Sequence, residues 1–486
     1  MGTVFKKIKS IFESEKSEYG HIQYDSNKPV SKFSEFNLIK ESVNKSTQGF
    51  FYSTPILTYS GNDSKTKFEI GLREFTILAA LSGKNLLLRG GTGIGKTSFS
   101  KGFLNGVFGQ NYAILQVDVS LDESKYINVN FNEMKKGKKL SDSMIETKLI
   151  TAPAVIFDEY NRAIGLQTSL IQGWLANDEI IAQGNKRFIP GKVLKDGSNY
   201  QFKIATINEG IEYVNTQDID LASRDRFAIE LNMDNFPMSD NDKRDLLSRI
   251  GPAEHEKRHF IDNANKALLR SEKISKAFFD LYFKIRDIEI SGEVQEFMVY
   301  LQRLDNCYKS PLGTKKSFMD FNESICAGCN ATNLNNGLCS HIHTVSPRTI
   351  ANIVALAKAL AGYRMYIASN PDSSKTKVML EDIQAVLPFT VSVNKLGLSK
   401  KWIEMSKNET GNVEFTAINA VVKIIIDRFK QDFSDIGELI LKENNNIELS
   451  EEEKAKIRNT IMKNPWSRPR EDIIKTYEFI KNSSRF

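Results

Sequence analysis

No run of apolar residues in this 486-residue chain approaches the length of a membrane crossing, which takes about 20 residues of helix. A membrane-crossing helix is therefore not expected. The start, Met1-Gly2-Thr3-Val4-Phe5-Lys6-Lys7, lacks the apolar stretch and small-residue cleavage site of a secretory signal. Gly2 opens like a myristoylation site, but Lys6 stands where that motif needs Ser or Thr. The expectation is a cytoplasmic protein. Charge of one sign is also scarce: 66 Lys and Arg face 60 Asp and Glu, and a net charge of +6 makes no case for nucleic acid on its own. There are only four cysteines, all between Cys307 and Cys339. In a reducing compartment such clustering argues for a metal rather than for disulfides. Internal repeats and long low-complexity tracts are missing too.

What is present is ordinary for a globular chain: 41% hydrophobic and 26% charged residues, with length for roughly two to four domains. Residues 1–64 are polar and mixed and read as an N-terminal extension. Residues 65–235 alternate short apolar strands with helix-length segments. The strand candidates are Leu86-Leu87-Leu88, Ala113 to Val117, Ala154 to Phe157 and Phe202 to Ile207. Continuous short apolar strands between helices predict a parallel sheet covered on both faces. Residues 236–395 are dominated by helical spacing, at Lys273–Ile288, Glu293–Leu304 and Thr349–Tyr363, interrupted by a Cys-rich insertion at about 305–343. Residues 396–486 read as a helical C-terminal segment.

Gly90-Gly-Thr-Gly-Ile-Gly95-Lys96-Thr97 fits G-x-x-x-x-G-K-[ST], with a strand before it and a helix after it. Glycines let backbone N–H groups curl around phosphate oxygens, and the following helix start adds the positive end of a dipole. The residues expected to contact a nucleotide are Gly90, Gly91, Thr92, Gly93, Ile94, Gly95, Lys96, Thr97 and Ser98. Lys96 would reach the β- and γ-phosphates, and the Thr97 hydroxyl would hold Mg²⁺.

The strand Ala154-Val-Ile-Phe ends in Asp158-Glu159. Asp158 is expected in the Mg²⁺ shell, and Glu159 is expected to orient or deprotonate the attacking water. The strand Phe202-Lys-Ile-Ala-Thr-Ile ends in Asn208. Strand ends in a parallel sheet converge on the ligand crevice, so Asn208 is a candidate contact to the γ-phosphate or the water. Leu221-Ala-Ser-Arg224-Asp-Arg226-Phe227 follows. Either Arg224 or Arg226 could stabilise charge on a phosphoryl group across a subunit boundary.

Taken in this order, the motifs resemble those of the AAA+ superfamily, within it the MoxR-like branch. Phe157-Asp-Glu-Tyr-Asn-Arg162-Ala is similar to the family's acidic motif, with Tyr160 where Ile is usual. Asn232-Met-Asp-Asn-Phe-Pro is similar to its approach to the lid. Ser346-Pro347-Arg348-Thr-Ile resembles its second sensor, and Leu380-Glu-Asp-Ile-Gln-Ala-Val-Leu-Pro its closing lid segment. The likeness covers about residues 68–395. It implies an α/β P-loop AAA+ core followed by an all-helical lid, and ATP hydrolysis in a homo-hexameric ring. Arg226 would be the arginine finger and Arg348 would be aimed from the lid at the phosphates. Ser346 as N-cap and Pro347 in the first turn suit such a helix start. The implied work is remodelling or activating protein partners, often a von Willebrand A-domain protein. A nucleic-acid-directed motor, McrB-like or MCM-like, is the alternative. Lys135-Lys-Gly-Lys-Lys139 would sit in an insertion between the second and third core strands, facing the pore in related rings or forming a solvated turn.

Cys326-Ala-Gly-Cys329 has zinc-knuckle spacing. Cys339 and Cys307 would complete a closed structural Zn²⁺ site, or His341 or His343 would replace Cys307. His255-Glu256-Lys-Arg-His259 matches H-E-x-x-H. Its two charged middle residues, its place in the lid region and the lack of an obvious third ligand speak against a zinc protease.

Overall fold

A computed structural model describes residues 33–47, 50, 52–61, 66–117, 127–137, 139, 143–162, 171–175, 179–181, 187–208, 224, 226–248, 264–303, 345–368, 377–391, 413–433, 438–439, 442, 447 and 449–456. Strands, in chain order, are β1 Leu57–Ser60, β2 Lys67–Ile70, β3 Leu86–Gly90, β4 Ala113–Gln116, β5 Ile127–Val129, β6 Met144–Glu146 and β7 Ala154–Asp158. They continue with β8 Ile180–Ile181, β9 Arg187–Phe188, β10 Lys192–Val193, β11 Asn199–Tyr200, β12 Phe202–Asn208 and β13 Ile229–Asn232. Helices are α1 Glu35–Ser46, α2 Leu72–Leu81, α3 Lys96–Phe108, α4 Phe131–Lys135, α5 Lys148–Thr151 and α6 Asp240–Ser248. After them come α7 Ala264–Arg286, α8 Gly292–Arg303, α9 Pro347–Ala368, α10 Leu380–Thr390 and α11 Val413–Phe433.

Five strands form one sheet in the order β13-β3-β12-β7-β4, and every pairing in it is parallel. The reason lies in the strand sequences. Leu86-Leu-Leu, Ala154-Val-Ile-Phe and Phe202-Lys-Ile-Ala-Thr-Ile are buried along their length, as strands covered on both faces must be. Alternate residues feed two cores. Leu86, Leu88, Ile156 and Ile204 join the larger one with α1, α2, α3 and the C-terminal helices. Leu87, Val155, Phe157 and Ala205 join the smaller one with Ile150, Trp174 and Phe188. This is the α/β P-loop core that the strand pattern predicts, with helices following it.

The edges of the expected divisions fall differently. A break at residue 64 would cut the β1–β2 hairpin, whose register runs from Leu57 opposite Ile70 to Ser60 opposite Lys67. Within residues 1–64, α1 buries Phe36, Ile39 and Val43. It lies so close to α3 that a Cβ on Gly106 would come 2.9 Å from the Val43 Cα. The helix is therefore part of the core; its polar outer face disguised it. Likewise α11 does not stand apart: Phe415 packs on Phe236 and Phe389, and Phe429 on Phe297 and Tyr300. The insertion between β4 and β7 is a hairpin of β5 and β6 enclosing α4. Lys135, Lys136 and Lys139 are exposed there, and Phe131 is 69% exposed. No helix among the described residues is long and apolar enough to cross a membrane.

Candidate functional site

Parallel strands bring their carboxyl ends to one side of the sheet, and the sequence-marked residues gather there. Asn208, the last residue of β12, lies in register with Gly90, the last of β3. Asp158 ends β7 opposite Gln116, the end of β4. The loop from Gly90 to Gly95 leaves β3 and enters α3 with φ of +142° at Gly90, +81° at Gly93 and +88° at Gly95, values that L side chains rarely adopt. At Gly95 a Cβ would also run into the Phe50 ring at 2.6 Å. Lys96 is buried, and its ammonium donates to the carbonyls of Gly90 at 2.8 Å and Gly91 at 2.6 Å. Ser98 is exposed on the first turn of α3.

The two motifs meet directly. The Thr97 hydroxyl donates to Asp158 Oδ1 at 2.6 Å, and the Thr206 hydroxyl donates to the same oxygen at 2.6 Å. Thr206 Oγ1 also accepts from the Glu159 N–H at 3.2 Å. Glu159 has φ of +56°, and no other non-glycine residue among those described has a positive φ. A residue other than Gly, Asn or Asp held there is strained and marks a position the surroundings over-determine. The turn aims the Glu159 carboxylate at the strand ends, where Gln116 Nε2 donates to it at 3.2 Å and Arg162 Nε lies 3.3 Å away. Asn161 is buried, and its amide donates to the Asn208 carbonyl at 2.9 Å.

Four of these participants were not singled out by the sequence. Gln116 lay inside the expected strand Ala113 to Val117; only the structure ends β4 there, as β12 ends at Asn208. Thr206 had no distinguishing signal, and Asn161 stood inside the quoted Phe157–Ala163 motif segment with no role of its own. Asp234 lies in the turn after β13 and accepts the Gly91 N–H at 2.9 and 3.1 Å, which ties the approach to the lid to the loop. Nearby, burial and the charges of Asp234 and Asp242 push the Tyr52 phenol up to about 12, so it stays a donor to the Met233 carbonyl at 3.0 Å.

The two candidate arginines lie just before β13, whose first residue enters the sheet beside the start of β3. Ile229 pairs with Leu86 at the start of β3, and the Asn85 amide donates to the Arg226 carbonyl at 3.3 Å. The four-residue step from Leu86 to Gly90 spans about 13 Å. Arg224 is tied within its own chain, donating to Glu230 Oε1 at 2.7 Å. Arg348 is exposed at the start of α9, where the Ser346 hydroxyl accepts the Thr349 N–H at 3.2 Å, the cap expected of that serine. Cys307, Cys326, Cys329, Cys339, His341 and His343 lie outside the described residues, as do His255 to His259. Among the described residues no cluster of His, Cys, Asp and Glu could hold a metal.

No family model matches the chain. No curated protein matches it by sequence. Among solved structures it is similar to an inferred ATPase from Cytophaga hutchinsonii ATCC 33406, known from a crystal structure at 2.00 Å. The TM-score is 0.52 at 15% identity, over 81% of this chain and 94% of that one. The likeness is one of fold, and it agrees with the α/β P-loop core.

Proposed function

We propose that this chain is an ATP-hydrolysing subunit of a MoxR-like AAA+ ring that remodels or activates partner proteins. One observation carries the reading: Thr97, Asp158 and Thr206 form a single hydrogen-bonded unit beside a positive-φ glycine loop, with Glu159 held in a strained turn next to it. The donor set suits ATP with Mg²⁺. Lys96 rests on two neutral carbonyls, acceptors that anionic phosphate oxygens can replace with stronger bonds, ionised at both ends. The Thr97 hydroxyl and Asp158 carboxylate are hard oxygen donors, the kind Mg²⁺ takes, and they would hold it. When bound, the ion supplies charge neutralisation at the β- and γ-phosphates.

The chain's own residues do the remaining work. The loop amides and Lys96 bind and orient the triphosphate. Glu159 orients the attacking water and accepts its proton, and Asn208 steadies the water or the γ-phosphate from the end of β12. Arg226 serves a neighbouring copy in a hexamer. Arg348 senses the phosphates from the lid. The Glu159→Gln variant should bind ATP and stop turnover; turnover at the unmodified rate would overturn the assignment of Glu159.

The same variant, used as bait, is expected to retain a protein partner, with a von Willebrand A-domain protein the leading class. A structural Zn²⁺ on Cys307, Cys326, Cys329 and Cys339 remains part of the proposal; metal analysis should find one zinc per chain. The nucleic-acid alternative draws support from the exposed Lys135, Lys136 and Lys139 on the β5–β6 hairpin. DNA or RNA that binds in a salt-sensitive way and stimulates hydrolysis would favour it.

A further inference from the structure

Arg226 sits on a built pedestal. A turn at Arg226 is closed by the Phe227 N–H donating to the Arg224 carbonyl at 3.1 Å. Both ends of that turn are anchored. Phe227 is fully buried and meets Tyr160 edge-on, with ring centroids 5.2 Å apart. Arg224 donates to Glu230 Oε1 at 2.7 Å, and Arg89 Nε approaches the same oxygen at 2.9 Å. The side chains of Glu230 and Arg89 are only 6% and 7% exposed. Arg89 immediately precedes Gly90, so one carboxylate joins the root of the phosphate loop to the turn that carries Arg226. A small open pocket beside them is lined by Arg89, Glu230, Phe389 of α10 and Phe415 of α11.

A buried carboxylate shared by two arginines is a poor device for stability alone, because desolvation offsets most of the attraction. It is a good device for geometry, because two cations from different segments are held to one oxygen. We propose that Glu230 is a positioning residue: through Arg224 and Arg89 it fixes the Arg226 turn for use in the neighbouring subunit's nucleotide site. The assignment rests on the reading of Arg226 as an arginine supplied across a subunit boundary. Substrate binding in the same chain does not depend on Glu230; completion of the neighbour's site does.

The test is steady-state hydrolysis by Glu230→Gln, Arg224→Met and Arg226→Ala, each alone and mixed with Glu159→Gln subunits. The last cannot turn over but carry an intact Arg226 turn. Glu230→Gln and Arg224→Met should each lower kcat at least about tenfold with KM within about twofold, the pattern of a lost transition-state contact. Mixing should restore part of the activity, because the Glu230→Gln subunit keeps a competent pocket that a neighbour completes. A loss confined to KM, or no recovery on mixing where Arg226→Ala does recover, would overturn the role of Glu230. No recovery for Arg226→Ala would overturn the reading of Arg226 itself, and this assignment with it. Should Glu230→Gln fail to fold, Arg224→Met, on the more exposed partner, carries the same expectations.

Discussion

Replacing Thr206 by Val removes one hydroxyl and almost no volume. That hydroxyl donates to Asp158 Oδ1 at 2.6 Å and accepts the Glu159 N–H at 3.2 Å. The first bond goes to a carboxylate, a kind worth about 1.5–3 kcal/mol. The second holds the strained turn at Glu159, and its loss leaves the Glu159 N–H without that partner. If the whole of the first term is felt where Asp158 and Glu159 act together, hydrolysis falls by a factor of roughly 10 to 150. ATP affinity should move far less, because the loop and Lys96 are untouched. The assay is turnover against ATP and Mg²⁺ concentration for Thr206→Val and Thr206→Ser. The Ser variant keeps the hydroxyl and should stay close to the parent. Val at parental turnover, or Ser as impaired as Val, would refute the argument that the hydroxyl sets the geometry of the acidic pair.

Other consequences are more local. Gly106→Val should destabilise the fold by about 1–3 kcal/mol through overpacking, since a Cβ there meets the Val43 Cα at 2.9 Å and the Ser42 carbonyl at 3.2 Å; an unchanged melting temperature would show that α1 is not packed on α3. Ser346→Ala should cost about 1 kcal/mol at the start of α9 and speed amide exchange at Thr349, read by hydrogen exchange. Asp196 is held at about 2, below its ordinary 3.8, by the Ser198 hydroxyl and by Arg286. Its contribution to the tie between the β10–β11 turn and α7 is therefore fully present above pH 3.8 and is lost as pH falls toward 2. A titration of its carboxyl resonance near 4 in the folded protein would contradict this.

Much of the core was legible because parallel strands buried on both faces must be apolar throughout. Leu86 to Leu88, Ala154 to Phe157 and Phe202 to Ile207 all became such strands, while the expected Ala113 to Val117 became the edge strand Ala113–Gln116, with Ile114 and Gln116 exposed. β13 did not show, because Glu230 breaks its apolar run; the charge is tolerated only because Arg89 and Arg224 meet it. α1 was hidden by polar residues around three buried ones, Phe36, Ile39 and Val43, whose value depends on the two glycines of α3 at 102 and 106. In the site, motif residues announced themselves through spacing and residue type. Thr206 could not, and Asn161 and Asp234, though inside motif segments, carried no role of their own, since such roles exist only once separate strand ends and turns are brought together.

The most direct test is calorimetric titration of the purified protein with ATP and Mg²⁺, beside Lys96→Ala. Saturable binding by the unmodified chain, abolished or weakened at least about a hundredfold by the substitution, is the predicted result. No binding by the unmodified chain, or equal binding by both, would contradict the claim that the Gly90–Thr97 loop cradles a nucleoside triphosphate.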